Sequence, residues 1–264
     1  MPARCAPCML DRITPLVITY NEAPNLRRTL DKLAWARDIL IVDSFSTDET
    51  LAIARSFPQV RVVQRGFDTF ATQCNFGLAH VRSEWVLSFD ADYVLTDELR
   101  AEIAALDPDG SVAGYRARFR YCIQGHTLRA SLYPPRMVLY RRAKARYRDE
   151  GHGHRVEVDG DVRELGGYVL HDDRKPLERW LAEQNRYALR EAEHLLATPV
   201  WQLNRADRIR RKVVLAPAMV FFYTLIGQRL ISDGLPGWIY VAQRTTAELI
   251  LSMRLAERKL GVGR

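Results

Sequence analysis

The chain has 264 residues, 47% of them hydrophobic and 27% charged, with a formal net charge of +7. That length and apolar content are enough for a full core and exclude a disordered chain, while the excess of Lys and Arg points to an anionic partner: nucleic acid, a phosphorylated substrate or an acidic membrane surface. Four cysteines, Cys5, Cys8, Cys74 and Cys122, are too scattered for a disulfide framework and fit a reducing compartment.

Residues 1–12 contain a C-x-x-C, Cys5 and Cys8, without a second pair or nearby His to complete a zinc site, and lack a secretory apolar core; a poorly ordered leader and no export are expected. The β-branched run Ile13–Thr19 reads as a strand, broken by Tyr20, Asn21 and Glu22 ahead of a helix with Leu26, Leu30 and Leu33 on one face. A second strand over 39–42 ends at Asp43. Ser46 and Glu49 then have capping-box spacing for a helix carrying Ala52, Ile53 and Phe57. A third strand, Val60–Gln64, leads to a helix with Asn75, Leu78 and Val81, and then to Trp85–Asp90. Strand and helix in alternation predict a mainly parallel sheet covered on both faces.

The stretch WVLSFDADY is the focus of that pattern: an apolar strand ends abruptly in Asp90 and Asp92. Parallel sheets bind ligands beyond the carboxyl ends of their strands, and paired hard oxygen donors suit a divalent cation that also holds substrate phosphates. In isolation the same D-x-D serves as a helix cap or a solvated turn. Thr96, Asp97 and Glu98 open a further helix to about Leu106. Tyr115, Ala117, Phe119 and Tyr121 alternate with Arg116, Arg118 and Arg120, the period of a half-exposed strand, and short strands at 137–140, 156–158 and 168–170 extend the sheet as a mixed one. Leu177, Trp180, Leu181, Ala188, Ala192 and Leu195 fit an amphipathic helix.

The uncharged run 213–227 contains Pro217 and falls short of the roughly 20 residues of a spanning helix. Arg205, Arg208, Arg210, Arg211 and Lys212 precede it with only Asp207 opposed, and Leu235, Trp238, Ile239, Tyr240 and Val241 follow it. Charge plus apolar surface predicts a protein that is cytoplasmic and peripheral on the inner face of the membrane, meeting anionic headgroups without crossing; core helices or a dimer interface are the alternative.

Four segments, VITYNEAPNL, IVDSFSTDET, FATQCNFGLA and WVLSFDAD, stand in the order in which the family 2 glycosyltransferases of GT-A fold carry them, and the first half of the chain, most strongly 13–106, resembles that family. Further on, GHGHRVEV, LHDD, EQNRYA and ISDGLPGWIY look like the branch of lipopolysaccharide-core glucosyltransferases. The resemblance implies an α/β GT-A catalytic domain over 13–198, with a helical appendage over 199–264 for membrane or packing. It also implies inverting transfer of a sugar from a nucleotide-sugar donor, a UDP-sugar by analogy, to a lipid-linked or lipopolysaccharide-type acceptor with Mg2+ or Mn2+.

By the same resemblance Thr19, Asn21 and Glu22 line the nucleotide pocket, Asp43 reaches the base or ribose, and Asn75 lies near the nucleotide. Asp90 contacts ribose or metal-bound water, and Asp92 holds the cation against the diphosphate. His171 is a further metal or diphosphate contact, or else a strand-end residue at a turn. Inversion needs a base for the acceptor hydroxyl. Asp149 and Glu150 stand near the place of the family's acceptor-side acid, and His152 or His154 could serve instead or bind zinc. Two positions depart from the family: Phe45 replaces a small residue after Asp43 and could reshape the base pocket, and Tyr93 replaces a frequent Glu. The run Arg136, Arg141, Arg142, Lys144, Arg146 and Arg148, with Tyr133 and Tyr140 interspersed, reads either as a solvated face or as a wall for phosphate. No nucleic-acid-binding module accompanies the charge, so nucleic acid is not an expected partner. A nucleotidyltransferase is a rival reading, but it needs a glycine-rich basic loop where TYNEAPN stands; a non-catalytic membrane-associated relative is the other.

Overall fold

The computed structural model describes residues 8–129, 134–150 and 153–261. They divide into two compact units: Met1–Tyr121 with Leu132–Arg174, and Cys122–Ser131 with Lys175–Arg264.

In the first unit β1 (Ile13–Thr19), α1 (Ala23–Leu33), β2 (Ile39–Asp43), α2 (Thr50–Arg55), β3 (Val60–Gln64), α3 (Phe70–His80) and β4 (Trp85–Asp90) follow one another as their apolar periodicity predicts. The strands β3, β2, β1 and β4 lie side by side and parallel. Burial on both faces is why β1 and β2 read as continuous apolar runs. Alternation sends Val17, Ile41, Trp85, Leu87 and Phe89 to the face covered by Leu26, Leu30 and Leu33 of α1. Leu16, Val42 and Val86 go to the other face, against Cys74 and Leu78 of α3. There α3 approaches closely, because Gly77 has no Cβ to strike Leu16 Cδ1 at 2.6 Å or Val42 Cγ2 at 3.0 Å. The same parity puts Ser88 and Asp90 on the α3 side of the sheet.

Beyond β4 come β5 (Tyr93–Leu95), α4 (Asp97–Ala104), β6 (Val112–Ile123), β7 (His126–Thr127), β8 (Arg136–Arg141), β9 (Ala145–Glu150), β10 (Gly153–Val158) and β11 (Asp161–His171). The sheet continues from β4 through β8, β6 and β11 to β5, now mixed, and β9 with β10 forms a separate antiparallel pair. The expected mixed extension is present through β8 and β11, but the strand at 156–158, in β10, lies outside it in the separate pair. Thr96 caps α4 as its position predicts, accepting from Leu99 N at 3.2 Å. Strands β5 and β9 were not expected; β5 is three residues long, and of the described β9 side chains only Tyr147 is buried among charged neighbours.

Two local expectations need correction. Ser46 and Glu49 form no capping box: α2 starts at Thr50, whose N donates to Asp48 Oδ1 at 3.0 Å, while Ser46 turns to the buried Asp43 carboxylate. A buried anion outcompetes a helix end for a hydroxyl donor. Nor is the segment ahead of β1 wholly a loose leader, because Met9–Arg12 makes a short helical turn that buries Met9 in the core. Cys5 lies outside the described residues.

The second unit is helical: α5 (Leu177–Ala197), α6 (Arg205–Arg210), α7 (Leu215–Phe222) and α8 (Gly234–Leu260). Ala188, Ala192 and Leu195 of α5 bury against Leu251 and Leu255 of α8. Arg258 and Glu193 tie the same pair at 2.7 Å. Helix α5 therefore belongs with the C-terminal helices, and the division falls after Arg174 where 198 was expected.

Candidate active site

At the end of β4 the chain turns through Ala91 and Asp92 into β5, and both flanks hold that turn. Thr29 Oγ1 on α1 donates to Ala91 O at 2.6 Å, and Asp172 N donates to Asp92 O at 3.0 Å. Antiparallel pairing of β11 with β5 sets His171 opposite Tyr93, and brings His171 Nε2 to 3.0 Å from Asp92 Oδ2. The imidazole is fixed by ring contacts with Tyr93 at 5.2 Å and Tyr121 at 4.7 Å between centroids. Tyr93, one of the two departures, thus packs the core around His171 and does not face a pocket. Burial disfavours a charged His171, but the charge and hydrogen bond of Asp92, with Asp173 and Asp90 behind them, outweigh it and raise its pKa above the ordinary 6.5.

Among the described residues no group of three or more His, Cys, Asp and Glu converges as a closed metal cage. Mg2+ and Mn2+ need none: such ions use one or two carboxylates and complete their shell with waters and substrate phosphates. Two neighbouring ligands on an octahedral ion at about 2.1 Å stand about 3.0 Å apart, which matches the 3.0 Å between Asp92 Oδ2 and His171 Nε2. The donor set fits such a cation. Asp90 is half-buried, and its carboxylate has no hydrogen-bond partner among the described residues.

The first turns of α1 brace this corner through residues that motif reading missed. Asn25 Oδ1 accepts from Arg174 N at 2.9 Å and its Nδ2 donates to Asp173 Oδ1 at 3.0 Å. Arg28 donates to Asp172 O at 2.6 Å; its buried Nε has no hydrogen-bond partner and lies 3.6 Å from Asp172 Oδ2. Burial, opposed by Asp172 and reinforced by Arg174, lowers the pKa of Arg28. The available signal was spacing, since Asn25, Arg28 and Thr29 share one helical face at i, i+3 and i+4.

The other expected residues are placed as follows. Asp43 is wholly buried, and its oxygens accept from Thr19 Oγ1 at 3.0 Å, Ser46 N at 2.9 Å, Ser46 Oγ and Gln64 Nε2 at 3.0 Å. It holds the loop after β2, and its carboxylate is occupied by the protein. Asn21, at φ +55°, accepts from Thr47 N at 2.7 Å, and Glu22 N donates to Thr50 Oγ1 at 2.7 Å, so the loops after β1 and β2 are bonded to each other. Phe45 also has positive φ, +59°, and its ring is exposed above that floor. Asn75 turns to β9, with Nδ2 donating to Tyr147 O and Oδ1 accepting from Tyr147 N, both at 2.9 Å. Asp149 accepts from Ala71 N at the start of α3 at 3.3 Å. Burial, and then the charges of Asp90 and Asp149, push the Cys74 thiol upward. His152 and the side chains of Glu150 and His154 lie outside the described residues, as does Tyr133.

The basic run does not form one wall. Arg141 pairs with Glu84 and donates to Val112 O at 2.8 Å, and with Arg142 and Lys144 it borders a cavity of about 400 Å³ beside Arg82 to Glu84, just ahead of β4 and away from Asp90. Arg148 pairs with Glu157 across the β9–β10 pair at 2.8 Å.

The sequence profile described as Glycosyl transferase family 2 matches residues 16–157. The lipopolysaccharide core biosynthesis glycosyltransferase LpsC of Rhizobium meliloti is 25% identical over 256 residues, covering 93% of this chain and 92% of LpsC. An uncharacterised glycosyltransferase of Rickettsia bellii is 34% identical over 93 residues, 35% of this chain and 31% of its own. The mannosyltransferase PcManGT from Pyrobaculum calidifontis, solved with GDP-Man and Mn2+, shares the fold at a TM-score of 0.53 and 16% identity, covering 94% of this chain and 88% of its own. S. aureus TarS 1-349, solved with UDP-GlcNAc, does so at 0.50 and 14%, covering 95% and 92%.

Proposed function

This chain belongs to glycosyl transferase family 2, and on that premise we propose that it transfers a sugar, with inversion, from a nucleoside diphosphate donor to a lipid-linked or lipopolysaccharide-type acceptor of the cell envelope. The observation that carries the reading is the Asp92–His171 pair beside Asp90 at the end of β4. Asp92 and His171 would hold Mg2+ or Mn2+, which neutralises the charge that collects on the departing diphosphate. Asp90 would take the ribose side of the donor. Arg28, Asn25 and Thr29 keep the turn and the 171–174 segment in register. The acceptor oxygen bonds to the anomeric carbon as that carbon's bond to the diphosphate oxygen breaks, and the hydroxyl proton passes to a base on the β9–β10 pair, a carboxylate at Asp149 or Glu150 ahead of His152 or His154. The LpsC likeness supports the acceptor class. The Mn2+ and nucleotide-sugar complexes of PcManGT and TarS support the donor class, in which UDP is the first choice and GDP the second.

The test is thermal shift with a panel of UDP- and GDP-sugars, with and without Mn2+, followed by measurement of released nucleoside diphosphate. One donor is expected to stabilise the protein selectively, and only with the cation. A panel in which no nucleotide sugar stabilises or turns over, with either metal, would reject the proposal.

A further inference from the structure

The C-terminal helices of the second unit bury part of their apolar surface against α5 and leave further apolar side chains exposed. Val214, Met219, Phe222, Ile226, Leu235 and Trp238, spread from α7 to the first turn of α8, are all exposed, with Phe222 at 59% and Ile226 at 62%. Gly237 lets the start of α8 fold closely onto the turn before it, since a Cβ there would sit 2.0 Å from the Leu230 carbonyl oxygen. Among the described residues no single helix is long and apolar enough to cross a membrane; 215–227 and 230–260 pass by length and composition only as a pair bent by 66°.

Charge selects the occupant of this apolar surface. Between 203 and 250 the only acids are Asp207, Asp233 and Glu248. Each is taken by an arginine, Asp207 and Glu248 by Arg210 at 3.1 and 2.7 Å and Asp233 by Arg129 at 3.1 Å, and their side chains are 16%, 5% and 9% exposed. Arg205, Arg208, Lys212 and Arg229, in the same stretch of chain, remain exposed. Among the described residues Arg208 donates to carbonyls, of Leu203 at 2.8 Å, Val200 at 3.1 Å and Trp201 at 3.3 Å, contacts that hold a side chain without cancelling its charge. Arg210, by contrast, is not a free cation as the basic run suggested. A second copy of the chain is a poor occupant, because a two-fold contact sets the same patch against itself and would bring these cations together.

We infer that this bent helical pair seats on the surface of an anionic phospholipid bilayer, its apolar side chains at the headgroup boundary and its arginines and lysine on the phosphates. Apolar insertion and charge are two separate attractions, the combination that makes peripheral binding stable. The inference rests on the second unit alone and does not depend on the glycosyl-transfer reading.

Co-sedimentation of the full chain with phosphatidylcholine vesicles, with and without phosphatidylglycerol, tests it. At low salt the protein is expected to pellet with the phosphatidylglycerol vesicles, to be released by high salt, and to show a blue shift of tryptophan emission that Trp238→Phe reduces. Phe222→Ser with Ile226→Ser removes exposed side chains, so the fold should survive and binding should fall at least tenfold. Arg205→Gln and Lys212→Gln should each weaken binding about fivefold, as expected for one cation near an anionic surface, and keep the test open if the apolar variant fails to fold. A full chain left in the supernatant with anionic vesicles at low salt, or basic variants that bind like the parent, would overturn the inference. So would sedimentation showing that the apolar substitutions split a dimer while vesicle binding is unchanged.

Discussion

Replacing Asn75 by alanine separates a strut from a nucleotide contact. Its amide makes two hydrogen bonds of 2.9 Å to the backbone of Tyr147, and these join α3 to β9, a strand whose only sheet partner among the described residues is β10. Each bond contributes a net ~0.5–1.5 kcal/mol, so the pair accounts for about 2 kcal/mol. For a unit of this size that corresponds to a fall of roughly 6 °C in Tm. Because β9 carries Asp149 and Glu150, turnover should drop about tenfold or more while donor affinity stays within about twofold, the split expected when a proton acceptor is displaced and the donor site is left intact. Thermal unfolding, donor titration and steady-state kinetics on the one variant measure all three. An unchanged Tm together with a collapse of donor affinity would refute the reasoning and return Asn75 to the nucleotide.

Asp92→Asn should abolish Mn2+-dependent donor binding and turnover in a protein that still melts cooperatively, since a hard cation loses an anionic ligand; calorimetry with and without Mn2+ checks it. For His171 the sign follows from its raised pKa: the protonated form is favoured by folding, so that contribution is complete below the unfolded value near 6.5 and is lost as pH rises through the higher folded value. A cation must displace the same proton, so Mn2+ affinity should climb across that window, and His171→Gln should flatten the climb in titrations between about pH 6 and 9. Asp43→Ala leaves Thr19, Ser46 and Gln64 facing a buried gap and should cost about 4 kcal/mol or more, measured by urea unfolding; full stability with lost nucleotide binding would show that the side chain serves the ligand after all. Asp149→Asn should lower kcat far more than it raises donor KM if Asp149 takes the proton, and near-normal turnover would pass that role to Glu150, His152 or His154.

Strands β1, β2 and β4 were legible because burial on both faces demands continuous β-branched and aromatic runs, and helix α4 because Thr96 satisfies its first turn whatever else surrounds it. These are local demands, and a local pattern records them. The Asp90–Asp92 turn was legible for the same reason, as acid following an apolar strand. Strand β9 was not, since its place depends on Asn75 and on the hydroxyls of Ser88 and Tyr140, which meet Tyr147 at 2.7 Å. Asp43 had the look of a ligand contact, and only the closeness of β1, β3 and the loop after β2 shows its oxygens taken by the protein. Motif likeness brought His171 into consideration, but its role turns on the register of β11 against β5, which carries the ring to a carboxylate 79 positions earlier in the chain. Helix α5 has the stripe of any amphipathic helix, and that stripe does not say which partner buries it; the fit of Ala188, Ala192 and Leu195 against α8 does. Periodicity and caps arise from each segment's own burial and end groups, whereas pairings such as Asp92 with His171 arise from contacts between segments that the chain brings together only after they have formed.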